Sequence, residues 1–122
     1  KVKDFFNKIG TTIEIKNEKL SNNFWSVSGM MAPFYELLNS ITNWLVKRGV
    51  KRNDAQKYVT SLFVALSEDS VVNSKKNLEY LVKDSQTAKG LNEQGVTELR
   101  KAGFYKSLEK TLNSILKRLN KV

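Results

Sequence analysis

A chain of 122 residues, 40% of them hydrophobic, is one domain's worth of polypeptide, enough to bury roughly two thirds of its unfolded surface around a single core. It contains neither cysteine nor histidine, which excludes thiolate nucleophiles, disulfides, zinc sites of the Cys/His type and histidine bases, so no metal site is expected. The formal charge of +9 raises anionic partners, while the absence of any apolar run near the ~18 residues of a membrane span makes a cytoplasmic protein without a membrane partner the expectation.

In chain order, Phe5, Phe6 and Ile9 repeat at helical spacing and stop at Gly10, after which residues 11–16 alternate with a period of two. That predicts a short helix and then one strand. The remaining chain offers no second strand, and a lone strand leaves its backbone groups unpaired. The strand at 12–16 therefore reads as the last strand of a sheet whose other strands lie in a longer protein, and residues 1–20 as the tail of that domain. Residues 21–122 form the helical domain proper, with Phe24 and Trp25 packing the Ser28 loop.

Pro33 suits the first turn of a helix whose apolar stripe, Phe34, Leu37, Leu38, Ile41, Trp44 and Leu45, ends at Gly49. Asn53 or Asp54 is placed to cap the next helix, where Ala55, Tyr58, Val59, Leu62, Phe63 and Leu66 follow the same spacing. Residues 58–66 are apolar almost all round, the signature of a helix covered on more than one side. Asn73 or Ser74 is expected to open a third helix carrying Leu78, Leu81 and Val82, followed by a polar loop at 84–92. Asn92 reads as an N-cap for a helix ending at Ala102, Gly103 as its left-handed C′ residue, and Leu108, Leu112, Ile115, Leu116 and Leu119 as the seam of the last helix.

The basic residues come in small groups, Lys47-Arg48 with Lys51-Arg52, Lys75-Lys76, Arg100-Lys101, and Lys117-Arg118 with Lys121. Most fall near predicted helix C-termini, where the dipole favours cations, and this placement argues against nucleic acid. Glycines at 10, 29, 49, 90, 95 and 103 never form Gly-x-Gly, so no dinucleotide or P-loop fingerprint is present.

Two polar, glycine-bearing segments stand out: Ser28-Gly29-Met30-Met31-Ala32-Pro33, and Thr87-Ala88-Lys89-Gly90-Leu91-Asn92 within the longer run 86–95. Their order, together with Ile9-Gly10, Ile13-Glu14-Ile15, Arg48-Gly49-Val50 and Gly103-Phe104, resembles the C-terminal domain of pyrroline-5-carboxylate reductases from end to end. That family carries Ser-Gly-Ser-Gly-Pro-Ala at the first segment and Ser-Pro-Gly-Gly-Thr-Thr at the second. Asn92 thus stands where the family has the final threonine, which hydrogen-bonds substrate and is implicated in protonating the imine.

The resemblance implies an all-α bundle of five to six helices, similar to the C-terminal domain of 6-phosphogluconate dehydrogenase, with the N-terminal helix and orphan strand left from a Rossmann domain. It implies a homodimer in which Trp44, Tyr58, Leu62, Phe63 and Leu66 meet a second subunit. It places Asn92 in the catalytic position and Thr87, Lys89, Gly90, Leu91, Asn92, Ser28 and Gly29 against an imino or amino acid substrate. The intact protein would use NAD(P)H to reduce a cyclic imine such as 1-pyrroline-5-carboxylate toward proline. This chain alone, holding no cofactor, is expected to be inactive.

Bland readings stand beside these: Asn92 as a simple cap, Met30 and Met31 as gap fillers, and the helical aromatics as core. The alternative function is a free-standing basic helical module that binds nucleic acid or a protein partner.

Overall fold

The structure, a computed structural model, describes residues 18–73 and 75–121. It is an all-α bundle. Helix α1 spans Glu18–Val27, and a single 3-10 turn at Ser28–Met30 joins it to α2 at Met31–Lys47. Helices α3 (Arg52–Val72), α4 (Leu78–Asp84), α5 (Leu91–Lys101) and α6 (Phe104–Asn120) follow, and no strand occurs among the described residues. The expected short helix at 5–9, the strand at 12–16 and the possible cap at Ser74 lie outside the described residues.

The sequence pattern marks no helix over 18–27, where Ser21, Asn22 and Asn23 compete for backbone hydrogen bonds. Leu20, Phe24 and Val27 nonetheless fall at i, i+4 and i+7. Tertiary contact completes the helix: α1 lies against α6, and Asn22 Nδ2 donates to Asn120 Oδ1 at 3.0 Å. Ser26, buried in this contact region, returns its hydroxyl to the Asn22 carbonyl at 2.8 Å, so its burial leaves no donor unmet.

Helices α2 and α3 form the other main pairing. Their turn is a Schellman motif: Val50 N–H donates to Leu45 O at 3.1 Å, Gly49 N–H donates to Val46 O at 3.0 Å, and Gly49 takes φ +102°. Pro33 sits in the first turn of α2, as expected. Across the pair, Ala55 and Val59 are buried at 0% and 2% exposure, and Phe34 meets Phe63 edge-on with ring centroids 6.4 Å apart. The third pairing, α5 on α6, turns at Gly103 with φ +81°, the left-handed residue the sequence predicted.

The caps differ from expectation. Helix α3 begins at Arg52 with Lys51 as N-cap, so Asp54 lies inside the first turn and neither it nor Asn53 is the cap. Asn73 closes α3 instead of opening α4: its backbone N–H and its Nδ2 both donate to Asp69 O at 3.0 Å. Helix α4 starts later, at Leu78 behind Asn77. Helix α5 starts at Leu91 behind Gly90, which leaves Asn92 as the second helical residue and not the N-cap.

The protomer has little interior. Apolar residues fully buried among those described are Ala55 and Val59. Large apolar side chains are exposed instead, Tyr58 at 68% and Val72 at 80% among them. The wide apolar girth predicted for 58–66 is therefore covered on one side, by α2, and open on the other.

Candidate functional site

The segment between α4 and α5 is held by its own backbone. Gln86 ends α4 by donating Nε2 to Val82 O at 2.8 Å. Gly90 N–H then donates to Thr87 O at 2.8 Å, closing a four-residue turn across Thr87-Ala88-Lys89-Gly90. Lys89, the third residue of that turn, takes φ +62°, a left-handed conformation that an L side chain adopts at a cost of roughly 1–2 kcal/mol.

Gly90 is needed for space, since its own φ of −85° suits any residue. A Cβ there would lie 2.9 Å from Thr87 O and also against the Thr87 hydroxyl. The turn and the first residue of α5 can pack this closely only because position 90 carries no side chain.

Glu93 was not among the residues singled out from sequence. Its carboxylate Oε1 accepts the Lys89 backbone N–H at 3.2 Å and so fastens the turn to the first turn of α5. The signal was present in Gly90-x-x-Glu93, a glycine N-cap with an acid three residues on, in the manner of a capping box. Lys89, Gly90, Glu93 and Gln94 border an open groove that continues along α5 past Thr97 to Lys101. Leu91 and Asn92, the first two residues of α5, do not line this groove; Leu91 has 86% of its surface exposed and Asn92 is also exposed.

Of the residues predicted to touch substrate, Thr87, Lys89, Gly90, Leu91 and Asn92 are together in this turn. Ser28 and Gly29 are elsewhere in the backbone economy, in the 3-10 joint between α1 and α2 and not in an open loop. Ser28 Oγ donates to Trp25 O at 2.5 Å, and a Cβ on Gly29 would come within 2.7 Å of Ile115 Cδ1. Gly29 therefore lets the joint press against α6.

Chemically, the N-terminal turn of α5 offers backbone N–H donors and a positive dipole end to an anion, with the Lys89 ammonium nearby and the Glu93 carboxylate opposing. Asn92 supplies amide donors and an acceptor, with no titratable proton. No cluster of acidic residues able to hold a metal ion occurs among the described residues, and no helix there is long and apolar enough to cross a membrane. A dinucleotide needs a glycine turn between a strand and a helix, and the described residues supply no such unit.

The five residues predicted for a subunit interface divide. Trp44, Tyr58, Leu62 and Leu66 are exposed, whereas Phe63 is half-buried against Phe34. The basic tip of the α2–α3 hairpin has neutral intramolecular partners: the Arg48 guanidinium lies 5.1 Å over the Trp44 ring, and Arg52 donates to Asn43 Oδ1 at 3.0 Å.

Residues 18–122 match the family model described as pyrroline-5-carboxylate reductase dimerisation. No curated protein matches the chain. Among solved structures, it is similar to the crystal structure of Plasmodium falciparum pyrroline carboxylate reductase with NADP bound, at a TM-score of 0.76 and 24% identity. The match covers 96% of this chain and 44% of that one, so this chain spans less than half the length of the protein it resembles. At that identity the likeness establishes the fold.

Proposed function

The chain belongs to the pyrroline-5-carboxylate reductase dimerisation family, and from that membership we propose that it is the homodimerising, substrate-loop half of an NAD(P)H-dependent oxidoreductase of the cytoplasm that reduces a cyclic imino acid. The observation that carries this reading is the open apolar side of α3. A protomer with two fully buried apolar residues among those described, yet with Tyr58, Leu62 and Leu66 all exposed, lacks the interior that a stable monomer of this size needs. Obligate homodimers cover exposed apolar side chains of this kind at interfaces that resemble a domain core cut in half.

In the intact protein, the turn at 87–90 presents α5 to the substrate. The N–H groups of Leu91 and Asn92 hold its carboxylate, Gly90 permits the close approach, and Lys89 adds positive charge. Asn92 Nδ2 orients the imine nitrogen by a hydrogen bond but has no proton to transfer, so proton delivery falls to water or to a group outside 18–122. Ser28 and Gly29 act on the site through the packing of α1 and of their own 3-10 joint on α6.

Sedimentation equilibrium of the chain tests the reading: twice the protomer mass of 13.9 kDa supports it, and a stable, folded monomer at micromolar concentration overturns it. The companion measurement is absorbance at the nicotinamide band with NADPH and 1-pyrroline-5-carboxylate. Turnover by this chain alone would remove the assignment of cofactor binding to the other half of the enzyme.

A further inference from the structure

About a quarter-turn from its buried Ala55–Val59 stripe, α3 carries a regular seam. Tyr58, Leu62, Ala65, Asp69 and Val72 are spaced by alternating steps of four and three residues, the repeat that keeps one stripe of a helix against a neighbour, and all five are exposed. Leu62 lies near the middle of α3, which runs over Arg52–Val72. Of the charged residues on this helix, Arg52, Asp54 and Lys57 lie toward its N-terminal end and Glu68 and Asp69 toward its C-terminal end. Neither Lys57 nor Glu68 makes an ion pair within the described protomer.

Lys57 and Glu68 are about three turns apart and project to within roughly 20° of the same direction, so both flank the seam on one side. In an antiparallel helix pair, the two flanks that meet are the same side of each helix, read in opposite directions. Lys57 of one copy then lies opposite Glu68 of the other, twice by symmetry, with Leu62 at the two-fold axis. A parallel pair brings opposite flanks together, so Lys57 and Glu68 of one copy would face the flank of the other that carries Val59 and Leu66, which offers no opposite charge.

We propose that α3 pairs antiparallel with α3 of a second copy, centred at Leu62 and Phe63, with reciprocal Lys57–Glu68 ion pairs fixing the register. This rests on the dimer reading above and adds to it an orientation, a centre and the residues that set them.

Because the chain has no cysteine, single cysteines report the geometry directly. In the proposed register the two copies of position 62 are offset along the axis by about 1.5 Å and those of position 58 by about 13 Å. Disulfides need Cα atoms roughly 4.4–6.8 Å apart. Mild oxidation of the full chain should therefore link Leu62→Cys into covalent dimers and leave Tyr58→Cys unlinked. Cross-linking of both variants would show parallel pairing and overturn the proposal. Cross-linking of neither, in samples that light scattering shows to be dimeric, would overturn the register while leaving the dimer reading intact. A monomeric parent chain would overturn both.

A charge-reversal cycle gives a second readout that does not depend on thiol chemistry. Lys57→Glu should raise the dimer Kd about tenfold, and adding Glu68→Lys should restore it to within about threefold of the parent. A double variant as weak as the sum of its single changes would refute the pairing.

Discussion

Two glycines five positions apart around the start of α5 should respond to alanine with opposite signs. At Gly90, φ −85° and ψ 174° are open to alanine, so the backbone itself raises no objection. The added Cβ would sit 2.9 Å from Thr87 O, inside the ~3.5 Å at which carbon and its neighbours rest comfortably. Relief requires the turn to open, which lengthens the 2.8 Å bond from Gly90 N–H to Thr87 O. Overpacking of this kind costs about 1–3 kcal/mol, partly offset by the ~0.4–1 kcal/mol that alanine gains by restricting the unfolded chain. A net loss of about 1–2 kcal/mol follows. Gly95 lies inside α5 with nothing within 4 Å of its added Cβ, so Gly95→Ala should stabilise by about 0.5–1 kcal/mol. Urea unfolding at one protomer concentration reads both, as midpoints displaced in opposite directions at a shared m-value. Gly90→Ala as stable as the parent would refute the close turn. Gly95→Ala that destabilises would show that this face of α5 is covered in the folded protein.

Gly49→Ala should destabilise by about 1–2 kcal/mol, because φ +102° strains an L residue while nothing crowds the added methyl; an unchanged thermal midpoint would contradict the Schellman geometry. Val59→Ala, removing two carbons from a side chain only 2% exposed, should cost about 2 kcal/mol in urea, and a loss under ~0.5 kcal/mol would mean the α2–α3 contact is loose. Phe63→Asp should unfold the hairpin or dissociate the dimer, because a carboxylate half-buried against Phe34 lacks a partner and costs several kcal/mol; a variant as dimeric and as helical as the parent by sedimentation and circular dichroism would refute it. Leu91→Ser should leave the stability of the chain within about 0.5 kcal/mol, since Leu91 is 86% exposed, while raising KM for the imine in the intact enzyme; an unchanged KM would take Leu91 out of the substrate site.

Helical content was legible wherever apolar spacing and punctuation agreed. Pro33 and Gly49 bracket α2, Gly103 separates α5 from α6, and the structure places both glycines in the left-handed region the turns require. Helix α1 was illegible because its centre, Ser21-Asn22-Asn23, has poor propensity, and its stability comes from α6, far along the chain. The caps were misjudged for one physical reason. Asn and Asp side chains were taken to mark helix starts, but α3 and α5 begin two or three residues earlier behind Lys51 and Gly90, whose extended backbones make the entry without a side-chain bond. The turn at 87–90 was legible as a glycine-bearing loop. Lys89 at φ +62° was not, because a left-handed lysine contradicts local preference and is held by the Glu93 carboxylate and the Thr87 carbonyl.

The principal pairings divide the described protomer into two packing units. Helices α2 and α3 form one, α6 with α1 and α5 form the other, and the 3-10 joint at Ser28–Met30 makes a near-continuous helical connection between them. The unpartnered seam belongs to the first unit and the candidate substrate turn to the second. Altering the seam should therefore change assembly before it changes the turn, because Gly90, Thr87, Lys89 and Glu93 hold one another through bonds local to α5. In the proposed dimer, what the second copy adds to the candidate site is placement. Helix α4, with Leu78, Tyr80 and Val82 exposed, runs from the end of α3 to the turn, so fixing α3 against a second copy limits where the turn can sit. Under the proposed function the turn's geometry is set locally and its position by the dimer, so an assembly-deficient variant should keep the turn's hydrogen bonds and lose the alignment that the proposed reduction needs.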